Sequence, residues 1–480
     1  MWIVRSVVHS SWLVLTLGAT GVAVALAIAW AVARPSKQVP FTALADVHLA
    51  LADAYFDHAA FDRAEREYRV VLETPSSDVY WYAMEKLGWI DVNHHRFHEA
   101  ADVFAAVARG TADDPGDQSL HAVAAMDFVT PYVEIGDPRA AYDMFRRIDP
   151  TRALAMLGKL ADVYLERSLN AQAIAAFGQL IAHAPFDEHA CTWQYNIAHA
   201  ELASGDDHRA EAVAQVEKLV RTWTALATTL PAGERQTCRD TAASMSDELA
   251  RSYHAAATKT KDAAVLASAV RLYKAYVDAF SDAPDFAPTK YFYAEALWTT
   301  AEAALTSQAF ADAAVVFLEV SKLPSLETKL RHEAAYAAVL GWKNALDIDP
   351  RAPEPDAGST TREAPIPEPL NKLIDALDNY VAVIGNPDDD EVVGMRFLKA
   401  STLRRYNRFD DAIPIFVDIL AHHASHGTAE ASASLLLDTY DRLGRTAELR
   451  ELATSLLAKT SFLRDKLALQ HTLRALRRRE

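Results

Sequence analysis

The chain is 480 residues long with a formal net charge of −17 and no Lys/Arg stripe before its last residues, which argues against a nucleic-acid binder. Two cysteines exclude a zinc framework. An apolar content of 51%, only 16 glycines and abundant alanine favour helix over a turn-rich sheet protein. The length allows two or three ordinary domains, or one solenoid that grows by adding units.

The first recognisable element is apolar. Trp12 to Ala33 runs about 22 residues without a charged side chain, enough to cross a hydrocarbon core of about 30 Å. Residues 1–36 therefore read as an uncleaved signal anchor. A cleaved signal peptide stays open through the small-x-small series Ala27-Ile28-Ala29 to Ala31-Val32-Ala33, and a buried core helix through the segment's Ala and Gly content. No Cys follows the run, so a lipoprotein anchor is excluded. Arg5 against Arg34 and Lys37 counts towards a cytoplasmic carboxy-terminal side. The short arm with Arg5 looks instead like the start of a bacterial secretory signal, and places the bulk of the chain outside. The expectation is a membrane contact through residues 12–33, with the rest in the periplasm or an equivalent exterior of a bacterial inner membrane.

A repeating pattern follows. Leu51, Ala52, Phe61, Ala64, Tyr68 and Val71 are matched, at the same offsets, by Leu87, Gly88, Phe97, Ala100, Phe104 and Val107 around a polar turn at Asn93–His95. In both sets the small residue of the second helix lies 13 residues, and the aromatic 17 residues, beyond the leucine. Two short helices of this kind cannot bury their apolar faces alone, so the pattern should recur. A third set is Phe128, Tyr132, Ala141, Phe145 and Ile148, with Gly136 expected at a turn that needs positive φ and Pro138 just after it. Leu160, Ala161, Ala173, Phe177 and Leu180 form the fourth, closed by Pro185.

The fifth set, Ile197, Ala198, Gly205, Ala210 and Ala214, has Ala at the aromatic slot and a second helix running towards Ala227. The sixth is stretched by seven residues around Thr258–Asp262, between Leu249, Ala250, Tyr253 and Ala269, Tyr273, Tyr276. Ala301, Phe310, Ala313, Phe317 and Val320 give the seventh. In the eighth, Tyr336, Leu340 and Trp342 are split from Leu370, Ile374, Leu377 and Tyr380 by the Pro-rich residues 348–369. That stretch reads as a disordered insertion or, failing that, a peptide dock. The ninth, Ala400, Phe409, Ala412, Phe416 and Ile419, is regular; the tenth, Leu436, Leu437, Gly444, Leu449 and Leu456, reads as a terminal cap. Arg477, Arg478 and Arg479 read as a solvated helix end.

This pattern resembles the tetratricopeptide repeat. The resemblance implies an all-α, right-handed superhelical solenoid of about ten helix-turn-helix units, preceded by the hydrophobic transmembrane or signal helix. Residues 37–347 and 370–480 would be repeat and 348–369 the insertion. More loosely, the chain is similar to large exported repeat proteins of myxobacteria, some tied to gliding motility and cell-envelope assembly. The implied function is a non-enzymatic scaffold holding a segment of a partner protein, drawn from an envelope complex, in its concave groove. A cytosol-facing, membrane-anchored regulator recruiting a soluble factor is the alternative. In the family that groove is lined from the first helix of each pair. Carried over, it would contain Glu85, Trp89 and Val92, then Tyr195 and His199, then Trp298 and Glu302 with Leu305, and finally Phe397 and Arg404. Leu49 and Asp53 stand where the family's peptide-carboxylate clamp has other residues, so chaperone-tail recognition is not implied.

No catalytic, cofactor or metal set emerges. His94, His95, His98 and His422, His423, His426 read as solvated turn histidines without a third ligand at obvious spacing. His332-Glu333 opens like a zinc-hydrolase motif, but Tyr336 stands at the second ligand; His98-Glu99 fails likewise at Asp102. An enzyme built on a helical toroid would need one pocket gathering the histidines with carboxylates. Cys191 and Cys238 are either two buried thiols or, outside the cytoplasm, a disulfide.

Overall fold

The computed structural model describes residues 41–75, 78–347 and 361–458, together with 470 and 474. The apolar run 12–33 and the arginine tail 477–479 lie outside the described residues. Among the described residues, no helix is long and apolar enough to cross a membrane.

Every described regular element is a helix; no strand occurs among the described residues. The chain divides into an N-terminal unit, Met1–Leu180, and a C-terminal unit, Ile181–Glu480. In the first, α1 (Phe41–Asp57) packs on α2 (Phe61–Leu72), and α3 (Tyr80–Asn93) on α4 (Phe97–Gly110). Next come α5 (Gln118–Asp127), α6 (Val129–Ile135), α7 (Ala141–Ile148) and α8 (Ala153–Glu166); the division falls within α9 (Asn170–His183). The C-terminal unit pairs α10 (Ala190–Ala203) with α11 (Arg209–Leu226), and α12 (Ala232–Thr260) with α13 (Ala263–Ala279). The pairs α14 (Phe286–Ala304) with α15 (Ser307–Ser321), α16 (Thr328–Ala345) with α17 (Glu368–Ile384), α18 (Asp390–Arg405) with α19 (Phe409–His422), and α20 (Ala429–Arg442) with α21 (Thr446–Ala458) complete it. Within each unit, contacts join helices near one another in sequence, the pattern of units added in series.

The 13- and 17-residue offsets have a packing cause. Ala64, Ala100, Ala173, Ala269, Ala313 and Ala412 are fully buried, and four residues on, Tyr68, Phe104, Phe177, Tyr273, Phe317 and Phe416 are buried too. The small residue allows close approach of the two helices, and the ring one turn later fills the space beyond. Gly88 shows how tight this is: a Cβ there would lie 2.8 Å from the Phe104 ring.

The turn is equally regular in six of the pairs. Ala59, His95, Ser168, Lys261, Leu305 and Asn407 have φ between 52° and 59°, and each stands two residues before its second helix. This left-handed residue reverses the chain in the fewest steps, at a local cost of about 1–2 kcal/mol in a non-glycine residue. Packing of the pair offsets that cost.

Four expectations change. Gly136 is extended (φ −87°), and it is glycine because a Cβ would meet the Tyr132 ring at 2.3 Å. In the fifth pair, Gly205 is followed by a 3₁₀ turn at Asp206–His208 that delays α11. The buried positions become Ala212, Val213 and Val216, while Ala210 is exposed. The seven extra residues of the sixth pair form no loop. They lengthen the first helix, α12, to 29 residues, because seven residues are about two turns and leave the buried face unchanged. Finally, only part of the insertion 348–369 is described, and that part is held down. Ala364 N–H donates to the Tyr406 carbonyl at 3.0 Å, Asn407 donates to the Arg362 carbonyl at 2.8 Å, and α17 has begun by Glu368.

Candidate functional site

The first helices of the pairs carry the candidate residues, and the two units treat them differently. In the N-terminal unit Glu85 is buried, with Lys86 Nζ 3.2 Å from its carboxylate. The next first helix ends at Asp127, whose carboxylate accepts the Trp89 indole N–H at 3.0 Å. Lys159 of α8 lies 4.0 Å from that carboxylate and donates to the Met126 carbonyl at 2.8 Å. Burial pushes the Glu85 carboxyl above its ordinary range, Lys86 pulls it back, and the charge of Asp127 pushes it up again. Asp127 is raised by burial in the same way, against the pull of Lys159. The Trp89 ring packs edge-on against Phe104 at 5.8 Å. Two carboxylates thus meet two lysines and an indole within the fold. Val92 is half-buried beside them.

In the C-terminal unit, α10, α12, α14 and α16 touch in series as one row of first helices. Two cavities open on this row. The larger, about 890 Å³, lies between α10 and α12 and is lined by Tyr195, Leu202, Met245 and Leu249 with the carboxylates of Glu188, Glu234, Asp240 and Glu248. Its wall includes Cys191 and Cys238, which form a disulfide with Cα atoms 5.7 Å apart, fixing α10 against α12. His199 is exposed and its ring lies 6.1 Å from that of Tyr195.

The second cavity, about 320 Å³, lies between α14 and α16. Trp298 lines it with Tyr291, Glu295, Phe317, Glu333 and Tyr336. The Tyr291 hydroxyl donates to Glu333 at 3.1 Å, and the Trp298 indole donates to exposed Glu302 at 2.8 Å. Burial pushes the Glu295 carboxyl up, a hydrogen bond from Tyr291 draws it back, and the Glu333 charge raises it again.

Other positions carried over from the repeat pattern are spent on packing. Phe397 lies edge-on to Phe416 at 6.1 Å, and Arg404 is buried, donating to Asp438 and, at 3.1 Å, to Thr439. Leu305 is not on a helix face: it is the exposed left-handed turn residue. One histidine does acquire acidic neighbours that its own spacing did not announce. Asp62, Glu65 and His94 bring one ligand atom each within 4.8 Å, but Arg69 and Arg96 both bond Glu65, so its charge is already met.

Tyr291, Glu295, Glu333 and the acidic wall of α12 were missed as site residues because the repeat pattern was carried over only around the last turns of each first helix. Their signal was present: Tyr291, Glu295 and Trp298 at i, i+4, i+7, and Glu333, Tyr336 and Leu340 at i, i+3, i+7, each mark one helix face.

No family model and no curated protein matches the chain. Among solved structures it is similar to one described as human IFIT1 dimer with m7Gppp-AAAA, at 10% identity and a TM-score of 0.20, over 95% of this chain and 94% of that one. A likeness of that size carries no argument; the fold stands on the helices themselves.

Proposed function

We propose that the chain is a non-catalytic binding scaffold of tetratricopeptide-like pairs, and that the row α10–α12–α14–α16 holds an extended segment of a partner protein. The observation that carries this reading is the row itself. Its two open cavities, about 890 and 320 Å³, are walled by aromatic and carboxylate side chains that the fold does not cover. Rigid aromatic anchors beside polar groups are what peptide-binding surfaces use. A net charge of −17 and carboxylate-lined cavities support a protein ligand over a nucleic acid, whose phosphates they would repel. A photocrosslinking residue at Thr241 or Trp298 is expected to capture a protein partner in cells, whereas one at exposed Glu211 of α11 is not. Equal capture at all three would remove the row from the account.

The same reading places the repeats outside the cytoplasm, tethered through residues 12–33, with a partner from an envelope complex. A disulfide between Cys191 and Cys238 belongs with oxidising compartments. A carboxy-terminal alkaline phosphatase fusion is expected to be active. An inactive fusion puts the scaffold on the cytoplasmic side, as an anchored regulator that recruits a soluble factor.

A further inference from the structure

Among the described residues, no lysine, arginine or histidine lines either cavity of the C-terminal row. The smaller cavity is the more fully built. Tyr291 is buried, and its hydroxyl has one proton to give, yet it stands as hydrogen-bond partner to both Glu333 and Glu295. That one proton cannot serve both carboxylates at once, and Glu333, 46% exposed, is left facing solvent at the cavity mouth. The groups acting on Glu295 are Tyr291 and Glu333, and no cation is among them. Lys329 does approach Glu333, at 3.8 Å, but it is 77% exposed and forms a surface pair of little strength. Two like charges, half-buried Glu295 and exposed Glu333, share an open cavity with Trp298 and Tyr336 as walls, and are complementary to a cation that brings several N–H donors and tolerates aromatic rings.

We propose that the cavity between α14 and α16 is a cation pocket, which receives the ammonium or guanidinium end of a lysine or arginine side chain of the partner segment. Its ligands are the carboxylates of Glu295 and Glu333, and the rings of Trp298 and Tyr336 form its walls. The inference rests on the row being a segment-binding face, and it specifies the chemistry of that segment. The larger cavity extends the same preference, since Glu188, Glu234 and Glu248 line it unopposed. A basic, extended segment fits both.

The test is selection of a random peptide library on the immobilised full chain, followed by affinity measurements on the enriched peptides. Peptides rich in lysine or arginine are expected. Their affinity should fall about tenfold or more in Glu295→Gln/Glu333→Gln, and should weaken with salt in the wild type. The control Glu211→Gln, exposed on α11 and lining neither cavity, should bind as the wild type does. Removing two neighbouring like charges should leave the circular dichroism melt intact, so a loss of affinity reports the pocket. Enriched peptides without basic residues would overturn the cation pocket and leave the segment-binding row standing. So would basic peptides that bind the double variant as well as they bind the wild type. No enrichment at all would overturn both.

Discussion

Glu85 of the N-terminal unit and Glu295 of the C-terminal unit occupy comparable ground. Each is sunk into a first helix beside a second carboxylate, Asp127 in one and Glu333 in the other, with a tryptophan one turn on. The N-terminal unit supplies the counter-charges itself, through Lys86 and Lys159, and uses Trp89 to tie Asp127 down. The C-terminal unit supplies a phenol and no lining cation, and leaves Trp298 against an open cavity. A carboxylate pair on the first helices is structural where the chain completes its own charge set, and is left beside an open cavity where it does not. Position within a repeat says which face a residue lies on; only its neighbours across helices say whether it is free to bind.

The comparison can be broken hardest at the disulfide. Cys191–Cys238 closes a loop across a sequence separation of 47, for which chain entropy gives about 4 kcal/mol as an upper figure. Both cysteines sit in a buried cluster with Leu219, Leu226, Leu230 and Phe280. Cys191→Ser/Cys238→Ser, or reductant, should lower the melting transition of the C-terminal unit and weaken peptide binding at the larger cavity, without moving that of the N-terminal unit. An unchanged melt would mean that packing alone sets the spacing of α10 and α12.

Asp149 offers the next largest effect, this time in the unit whose charges are satisfied. Its carboxylate accepts from Thr151 N–H at 2.8 Å, Thr151 Oγ1 at 2.7 Å and Arg152 at 2.6 Å, with His121 Nε2 at 3.1 Å. Burial would raise this group, but the hydrogen bonds of Thr151 and Arg152 outweigh it and hold the carboxyl well below the usual carboxylate range. Its stabilisation is therefore complete above the ordinary aspartate range near about 3.9, and is lost as pH falls towards the depressed folded value. Asp149→Asn should cost about 3 kcal/mol at neutral pH, and the gap between variant and wild type should close in acid. A gap constant across that range would assign the loss to shape, not charge.

Much of this fold was legible because close helix crossing forces one small residue and one ring at fixed offsets, and Ala100 with Phe104 or Ala412 with Phe416 show it without ambiguity. The fifth pair was misregistered because three residues of 3₁₀ turn, Asp206–His208, leave no apolar mark in the sequence. The length of α12 was hidden for the opposite reason: two added turns repeat the face and look like an insertion. Repeat position led to Tyr195 and Trp298, which line the two cavities. Glu85 and Arg404 were identified by the same rule and turn out to be spent on Lys86 and Asp438, partners that lie next door in one case and a helix away in the other. Such partners follow from three-dimensional neighbours, which a single helix pattern does not encode.

Glu85→Gln is the smallest effect and the sharpest discriminator. Burial dominates Glu85, and the nearby Asp127 charge adds to it, so its folded carboxyl lies above the ordinary glutamate range despite Lys86. For a carboxyl raised on folding the sign is the reverse of that at Asp149. The native state holds the proton more tightly than the unfolded chain, so stability falls as pH rises from the unfolded value, about 4.3, through the raised folded value. A neutral amide avoids this loss and also lightens the like-charge load on Asp127. Glu85→Gln should therefore melt at or slightly above wild type at neutral pH, by less than about 1 kcal/mol, with the advantage gone below the glutamate range. Peptide binding should be untouched, because this pair belongs to the unit that completes its own charges. If Glu85→Gln instead lowered peptide affinity as Glu295→Gln/Glu333→Gln is expected to, the N-terminal face would be a binding surface too, and Lys86 and Lys159 would be part of what it presents to the ligand.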